Sequence, residues 1–450
     1  MSKLKPALQY SAGRSLPWSG ARLVNAFAEK ADGDKRDDFA VMAIPGTTLY
    51  VAVGSGPIRG MCVYDGSLHV VSGDKLYRMN GTGAATLLGT LTNSTGKVRM
   101  VTNGSAHLCI ADTDAYVWDG TTLHDTAALG LPADVSDVAY IDGYIIWTFV
   151  DTDQFIISAL DNATVYDLLD IATVEGAPDN LVGVIVDHRE VQFYGTATVE
   201  IWYNSGASDF PFERQGNAFI ERGCFDRDSM VKIDNSVHFV GDDRIVYRLA
   251  GYDPLRISTH AIEYAMRNAA WYRAYTYTQE GHKFYIIATA DGTFCFDMAT
   301  GAWHERQSTG LDYWRMGEAC VFGNTLYFGD SVNGNIYTTS LDTDSENAGD
   351  IAVTIELPTL EADNRQRITM HSFEMLCETG EDAAPTATLS WSDDGGRTYS
   401  SGVARSLGAA AAYTTRVIWR KLGQFRQRQI RIVMTGQFRR MVIAYFADVR

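Results

Sequence analysis

Short runs of alternating apolar and polar residues, broken by Asp-Gly, Asn-Gly or doubly acidic turns, recur along most of this chain. Residues 67–81 read Ser-Leu-His-Val-Val-Ser-Gly-Asp-Lys-Leu-Tyr-Arg-Met-Asn-Gly, and residues 236–251 repeat the phrase with one inserted residue. Each is two half-buried strands around a tight turn, and so close a pair at such a distance marks a repeated unit. The first strands of successive units line up at 60–64, 98–102, 138–141, 182–186, 230–233, 274–277 and 317–321. Their starts lie about 40 to 50 residues apart, the period of a four-stranded propeller blade. The turns at Asp65-Gly66, Asn103-Gly104 and Asp142-Gly143 supply the positive φ angles that two-residue hairpins demand. The pattern predicts an all-β chain containing a β-propeller of about seven blades, six being the alternative count.

The seventh unit stops in the acidic stretch 342–350 without a fourth strand. The orphan run 48–53, just ahead of the first unit, can fill that place and close the ring, which otherwise has two open sheet edges. One short helix is expected at 260–267. Beyond residue 350 the strands lengthen, at 351–357, 368–377, 387–391, 416–420, 429–435 and 441–446. These suffice for a β-sandwich of about 100 residues. Residues 1–46 carry one apolar island at 22–28, including Leu23, Val24 and Phe27, in an otherwise polar, turn-rich segment. That is too little for a core of its own, which leaves a disordered leader or an extended N-terminal arm that packs on another subunit, and the apolar island favours the arm. The expected division is arm 1–46, propeller 47–345 and sandwich 346–450, with a propeller that stays folded when the arm is deleted.

Composition narrows the function. The 450 residues are 46% hydrophobic, rich in Gly (41), Tyr (23) and Phe (19) and poor in Pro (10), which fits many short strands and a substantial core. A net charge of −17 makes the surface repel phosphate, so DNA wrapping is excluded while a wall past which DNA slides is not. The six cysteines are scattered without a C-x-x-C pair and read as buried free thiols of a reducing compartment. No signal-peptide core and no membrane-length apolar run is present, so a soluble, cytoplasmically made protein is expected.

Candidate chemistry is sparse. Ser392, Asp394, Gly396, Thr398 and Tyr399 fit the Asp-box spacing S-x-D-x-G-x-T-[WY], in which the Asp ties a hairpin together. His69, His107 and His238 occupy equivalent places in three units, but the seventh has Leu326 there, which makes the position a core position rather than a metal ligand. No nucleophile elbow, zinc motif, phosphate loop or dinucleotide fingerprint occurs, so no enzyme, cofactor or metal is expected. The strongest charge signal is C-terminal: Arg416, Arg420, Lys421, Arg426, Arg428, Arg431, Arg439, Arg440 and Arg450 face a single acid, Asp448. Such segregation reads first as a solvated strand face, next as a partner-binding face that an acidic neighbour, including another copy of this chain, would satisfy, and last as a phosphate contact. Reversing Arg426, Arg428 and Arg431 is accordingly expected to harm assembly rather than folding.

The island at residues 22–29 (Arg-Leu-Val-Asn-Ala-Phe-Ala-Glu), Ala-Ile-Pro-Gly at 43–46, the repeats, and the tail at 391–399 followed by residues 417–428 together resemble the packaged-DNA stabilisation or tail hub family of P22-like short-tailed phages. The resemblance implies a non-enzymatic virion protein that forms a hexameric ring below the portal and its adaptor ring after packaging. It further implies retention of the genome, seating of the tail needle, attachment of tailspikes, DNA only as a passenger through the channel, and no membrane partner. The competing class is a carbohydrate-binding or sialidase-like propeller, prompted by the Asp box and the aromatic content.

Overall fold

The computed structural model describes the chain except residues 32–37, 105, 133, 175, 177, 363–364 and 382–384; that part of the N-terminal segment lies outside the described residues. Five four-stranded antiparallel sheets stand alone, beginning at Ile58–Tyr64, Arg99–Thr102, Val135–Ile141, Leu181–Asp187 and Val231–Ile233. A sixth meander, Arg273–Gln279 to Ala302–Arg306, opens a larger sheet, and a seventh, Met316–Phe322 to Asn335–Ser340, takes Gly46–Ala52 as its outer strand. Thr47, Thr48 and Leu49 pair with Thr339, Thr338 and Tyr337. The run just before the first unit therefore closes the ring, and the short helix stands at His260–Met266.

Seven buried clusters lie between successive sheets. Leu108 and Ile110 meet Val71 and Leu76 between blades one and two, Trp147 meets Val117 between two and three, and Phe155 meets Phe193 between three and four. Tyr194 and Phe239 join four to five, and Tyr272 and Trp303 join Val240 to blade six. Tyr277 and Phe328 join six to seven, and Ile336 and Ile58 return to blade one. Alternation makes this inevitable: each strand turns one face to the preceding blade and one to the next, so both faces are apolar. At Asp65-Gly66 and Asp142-Gly143 all four residues have positive φ, the geometry of tight type I′ hairpins.

The C-terminal strands form the sandwich. One sheet runs Ala26–Lys30, Phe39–Ala43, Met441–Val449, Ile368–Cys377, Val417–Arg420. The other contains Val353–Glu356, Gln427–Thr435, Thr386–Ser392 and Val403–Ser406. Between them Phe373, Trp419, Ile432 and Tyr445 fill a single core that also holds Leu23, Ala26 and Val41.

This corrects the reading of the N-terminal island. Leu23, Val24 and Phe27 are buried within their own chain, because strand Arg22–Val24 lies between the last strand of blade six, to which it is parallel, and Val353–Glu356, to which it is antiparallel. It makes one ten-stranded sheet of blade six and half of the sandwich. An island of four or five apolar residues does need something to bury it, and here its own two domains do so.

Candidate interaction surfaces

The seam made by that strand is polar as well as apolar. Four neighbouring strands carry alternating charge. Arg22 donates two hydrogen bonds of 2.8 Å to Glu305 on blade six and lies 3.9 Å from Glu356, which in turn accepts from Arg431 at 2.8 Å. The Arg431 guanidinium stacks 3.4 Å from the centre of the Tyr399 ring, and burial pushes that phenol up to about 12. At the end of the strand Asn25 takes a left-handed φ of 58°, which asparagine tolerates better than most side chains. Its amide nitrogen donates to the carbonyls of Gln307 (2.8 Å) and Ala352 (3.0 Å), and its side-chain oxygen accepts from the Gln307 amide at 2.9 Å. A single buried side chain so joins the ring to the sandwich. The one polar residue inside the apolar island was the signal for this role.

The C-terminal basic cluster is not one patch. Arg428 is buried, donates two 2.7 Å bonds to Asp393 and a third to the Leu422 carbonyl, and packs over Phe425. Arg440 is also buried and donates to the Ile351 and Asp344 carbonyls, pinning the segment that links the two domains; burial lowers its pKa from the ordinary value. Arg431 belongs to the seam. Arg416 forms a two-bond pair with Glu374 at 2.6 and 2.7 Å. Arg420, Lys421, Arg426 and Arg439 remain as exposed cations. The expectation that reversing Arg428 and Arg431 spares folding is therefore corrected: their charges neutralise carboxylates of their own chain.

The Asp box is a closed turn. Asp394 accepts from the amides of Arg397 and Thr398 at 3.0 Å and from the hydroxyls of Ser392 (2.7 Å) and Thr398 (2.6 Å). Those hydroxyl bonds hold its pKa far below the usual carboxylate range, and Gly395 and Gly396 supply the φ values of 77° and 84°. Its carboxylate is fully occupied by the hairpin.

His69 and His238 are buried and their pKa falls to about 4 through burial, while His107 contacts Asn103. Among the described residues no three His, Cys, Asp or Glu side chains are placed to hold a metal. All six cysteines are free, and burial raises every thiol pKa.

The propeller bore is a cavity of about 500 Å³ to which each blade contributes, through Met61, Met100, Tyr140, Ile185, Lys232, Thr276 and Ala319. Side chains span one mouth. Arg227, from the turn before blade five, donates to the carbonyls of Ser136 and Lys97; Arg99 donates to those of Arg227 (2.9 Å) and Met230 (3.2 Å) and lies 3.2 Å from Asp137. Lys97 pairs with Glu318 at 3.2 Å. These bonds tie blades two, three, five and seven together and leave small-molecule volume only.

Residues 13–345 match the family model described as bacteriophage P22 Gp10, beta-propeller, and residues 354–449 match that described as bacteriophage P22 Gp10, beta-sandwich. No curated protein sequence matches the chain. Among solved structures it is similar to the computationally designed Ika8 protein at 14% identity, covering 71% of this chain and 99% of that one, with a TM-score of 0.39. Virginiamycin B lyase from Staphylococcus aureus shows 12% identity, 66% and 98% coverage and a TM-score of 0.44. The Neurospora crassa Pan2 WD40 domain shows 11% identity, 63% and 89% coverage and a TM-score of 0.38. At these scores the three similarities bear on neither activity nor ligand.

Proposed function

The chain belongs to the family of bacteriophage P22 Gp10, a family of phage structural proteins, and from that premise we propose that it is the hub of a short tail. In this reading several copies, six by resemblance, form a ring below the portal and its adaptor after packaging. The ring helps retain the genome and offers attachment sites for the tail needle and tailspikes. The protein performs no catalysis, and the virion is its site of action.

The observation that carries the reading is the match of both domains, in order, to the two halves of one phage structural family. Two physical features support it. The Arg22–Val24 strand and the Glu305, Arg22, Glu356, Arg431 ladder lock ring and sandwich into one block, as a load-carrying tail component requires. A net charge of −17 lets DNA move past without adhering.

The experiment is a phage carrying a nonsense mutation in this gene, complemented from a plasmid. Particles lacking the protein are expected to package DNA and then lose it, as read by nuclease sensitivity and by sedimentation. Stable, infectious particles without it would overturn the proposal. Incubation of the purified protein with fluorogenic sialosides and a glycan array tests the non-catalytic part, and turnover or specific capture would instead favour the carbohydrate-directed class.

A further inference from the structure

Blade three displays an apolar knob that its own fold does not use. Its outer strand, Asn162–Thr173, pairs with the neighbouring strand through Tyr166↔Ser158 and Ile171↔Ile156, so the four residues 167–170 face Ile157 alone and bulge outward. They read Asp-Leu-Leu-Asp. Leu168 is 56% and Leu169 89% exposed, with Val165 and Leu160 exposed beside them. The Asp167 carboxylate accepts from the Leu169 amide at 3.0 Å and shapes the bulge. Contiguous exposed leucines on an outer strand are the signature of a contact surface.

A complementary cavity opens elsewhere on the same molecule. About 390 Å³ in volume, it lies at the propeller face between blades one, six and seven and is walled by Ile58, Trp271, Trp314 and Met316, with Arg273 and Tyr313 also lining it. The Arg273 guanidinium sits 4.8 Å from the Trp271 ring. Nearby Arg59 and Arg315 are neutralised by Asp112 (2.7 Å) and Asp330 (2.8 Å), whereas Arg273 makes no ion pair among the described residues. An apolar cavity with one uncompensated cation selects an aliphatic side chain flanked by a carboxylate.

We propose that this cavity receives the residue 167–170 knob of a second copy, the leucines entering between Trp271 and Met316 while Asp167 or Asp170 pairs with Arg273. The inference deepens the ring reading above and rests on it. Edge of one copy meets face of the next, a heterologous contact of the kind that closes into rings. It also explains how a strongly acidic chain associates with itself: an acidic knob is matched to a cationic pocket. The raised pKa of Asp170, caused by burial and then by the charges of Asp167 and Asp209, is consistent with a knob whose negative charge lacks a local cation.

The test is calorimetric titration of the full-length protein with a capped peptide of residues 162–173. Saturable one-to-one binding is expected, weakened about tenfold or more by Arg273→Glu or Trp271→Ala, with circular dichroism confirming that both variants are folded. A peptide with both leucines replaced by serine leaves the protein untouched and is expected not to bind. Absence of binding by the native peptide, or equal binding by the serine peptide or by Arg273→Glu protein, overturns the proposal. In complemented phage, Asp167→Arg with Asp170→Arg is expected to block incorporation and Arg273→Glu in the same chain to restore it. Normal incorporation of the unrescued variant would sink this contact while leaving the hub reading intact; genome retention without any protein would sink the hub reading itself.

Discussion

The ring and the sandwich are both all-β, yet they are held together in opposite ways. The ring's core is divided into seven clusters, each built chiefly by blades adjacent in sequence apart from the closing one, with Tyr10 and Ala12 added between blades five and six and Phe27 and Ile44 between six and seven. The sandwich has one core, and Leu23, Ala26 and Val41 reach it from the far end of the chain. Loss of one side chain in the ring is a local injury, whereas the sandwich and its seam depend on the chain ends staying docked. Low and high sequence separation of contacts thus coexist in one molecule.

The most severe way to break that contrast is deletion of residues 1–45. It removes the burial of Leu23, Val24, Phe27 and Val41, at about 1.5 to 3 kcal/mol for each such fully buried side chain. The total is comparable with the roughly 5 to 15 kcal/mol that stabilises a domain. Calorimetry should show the sandwich transition lost or the protein aggregated, and an unchanged thermogram would refute the seam. Asn25→Ala forfeits three side-chain hydrogen bonds and a tolerated left-handed φ, with an expected cost of about 3 kcal/mol in denaturant unfolding.

Smaller effects sharpen the distinction between consumed and free arginines. Arg428→Ala should cost about 2 kcal/mol, less than a fully buried pair because Asp393 keeps 42% of its side-chain exposure. Arg426→Ala, at an exposed site, should stay within about 0.5 kcal/mol. The mildest probe is pH. His282 is buried against Phe27 and Phe284 and bridges Asp297 (2.9 Å) and Glu29 (2.8 Å), tying the N-terminal strand to blade six. The Asp297 hydrogen bond, opposed by burial and helped by Glu29, raises its pKa from 6.5 to about 9. A raised folded-state pKa means the stabilisation is complete below about pH 6.5 and is lost as pH climbs through 9. The melting temperature should fall by a few degrees between pH 7 and 10 in the native protein, and His282→Asn should flatten that slope.

Most of the ring was legible from residues alone. Strand period, Asp-Gly turns and the spacing of units are local properties, and they placed all seven inner strands to within about three residues, the helix at His260–Met266, and the closing strand Gly46–Ala52. The Asp box was legible for the same reason, since Asp394 bonds only residues within four positions of it. The N-terminal strands Arg22–Val24, Ala26–Lys30 and Phe39–Ala43 were not. Ala26–Lys30 and Phe39–Ala43 pair with each other, but the strands that dock this segment, Ala302–Arg306, Val353–Glu356 and Met441–Val449, lie hundreds of residues away, and an apolar island looks the same whether a neighbour in the chain or a second subunit covers it.

Charge shows the boundary most clearly. The count of C-terminal arginines is a fact of the sequence, and so is the scarcity of acids among them. Which arginines are free is decided by Asp393, Glu356 and Glu374, all upstream of the cluster, and by the carbonyls of Asp344 and Ile351. Local alternation and turn chemistry determined the blades because a hairpin's partners are a few residues apart. The seam, the buried arginines and an Arg273 without an ion pair among the described residues depended on which distant strands came to lie side by side, and only the folded chain could decide that.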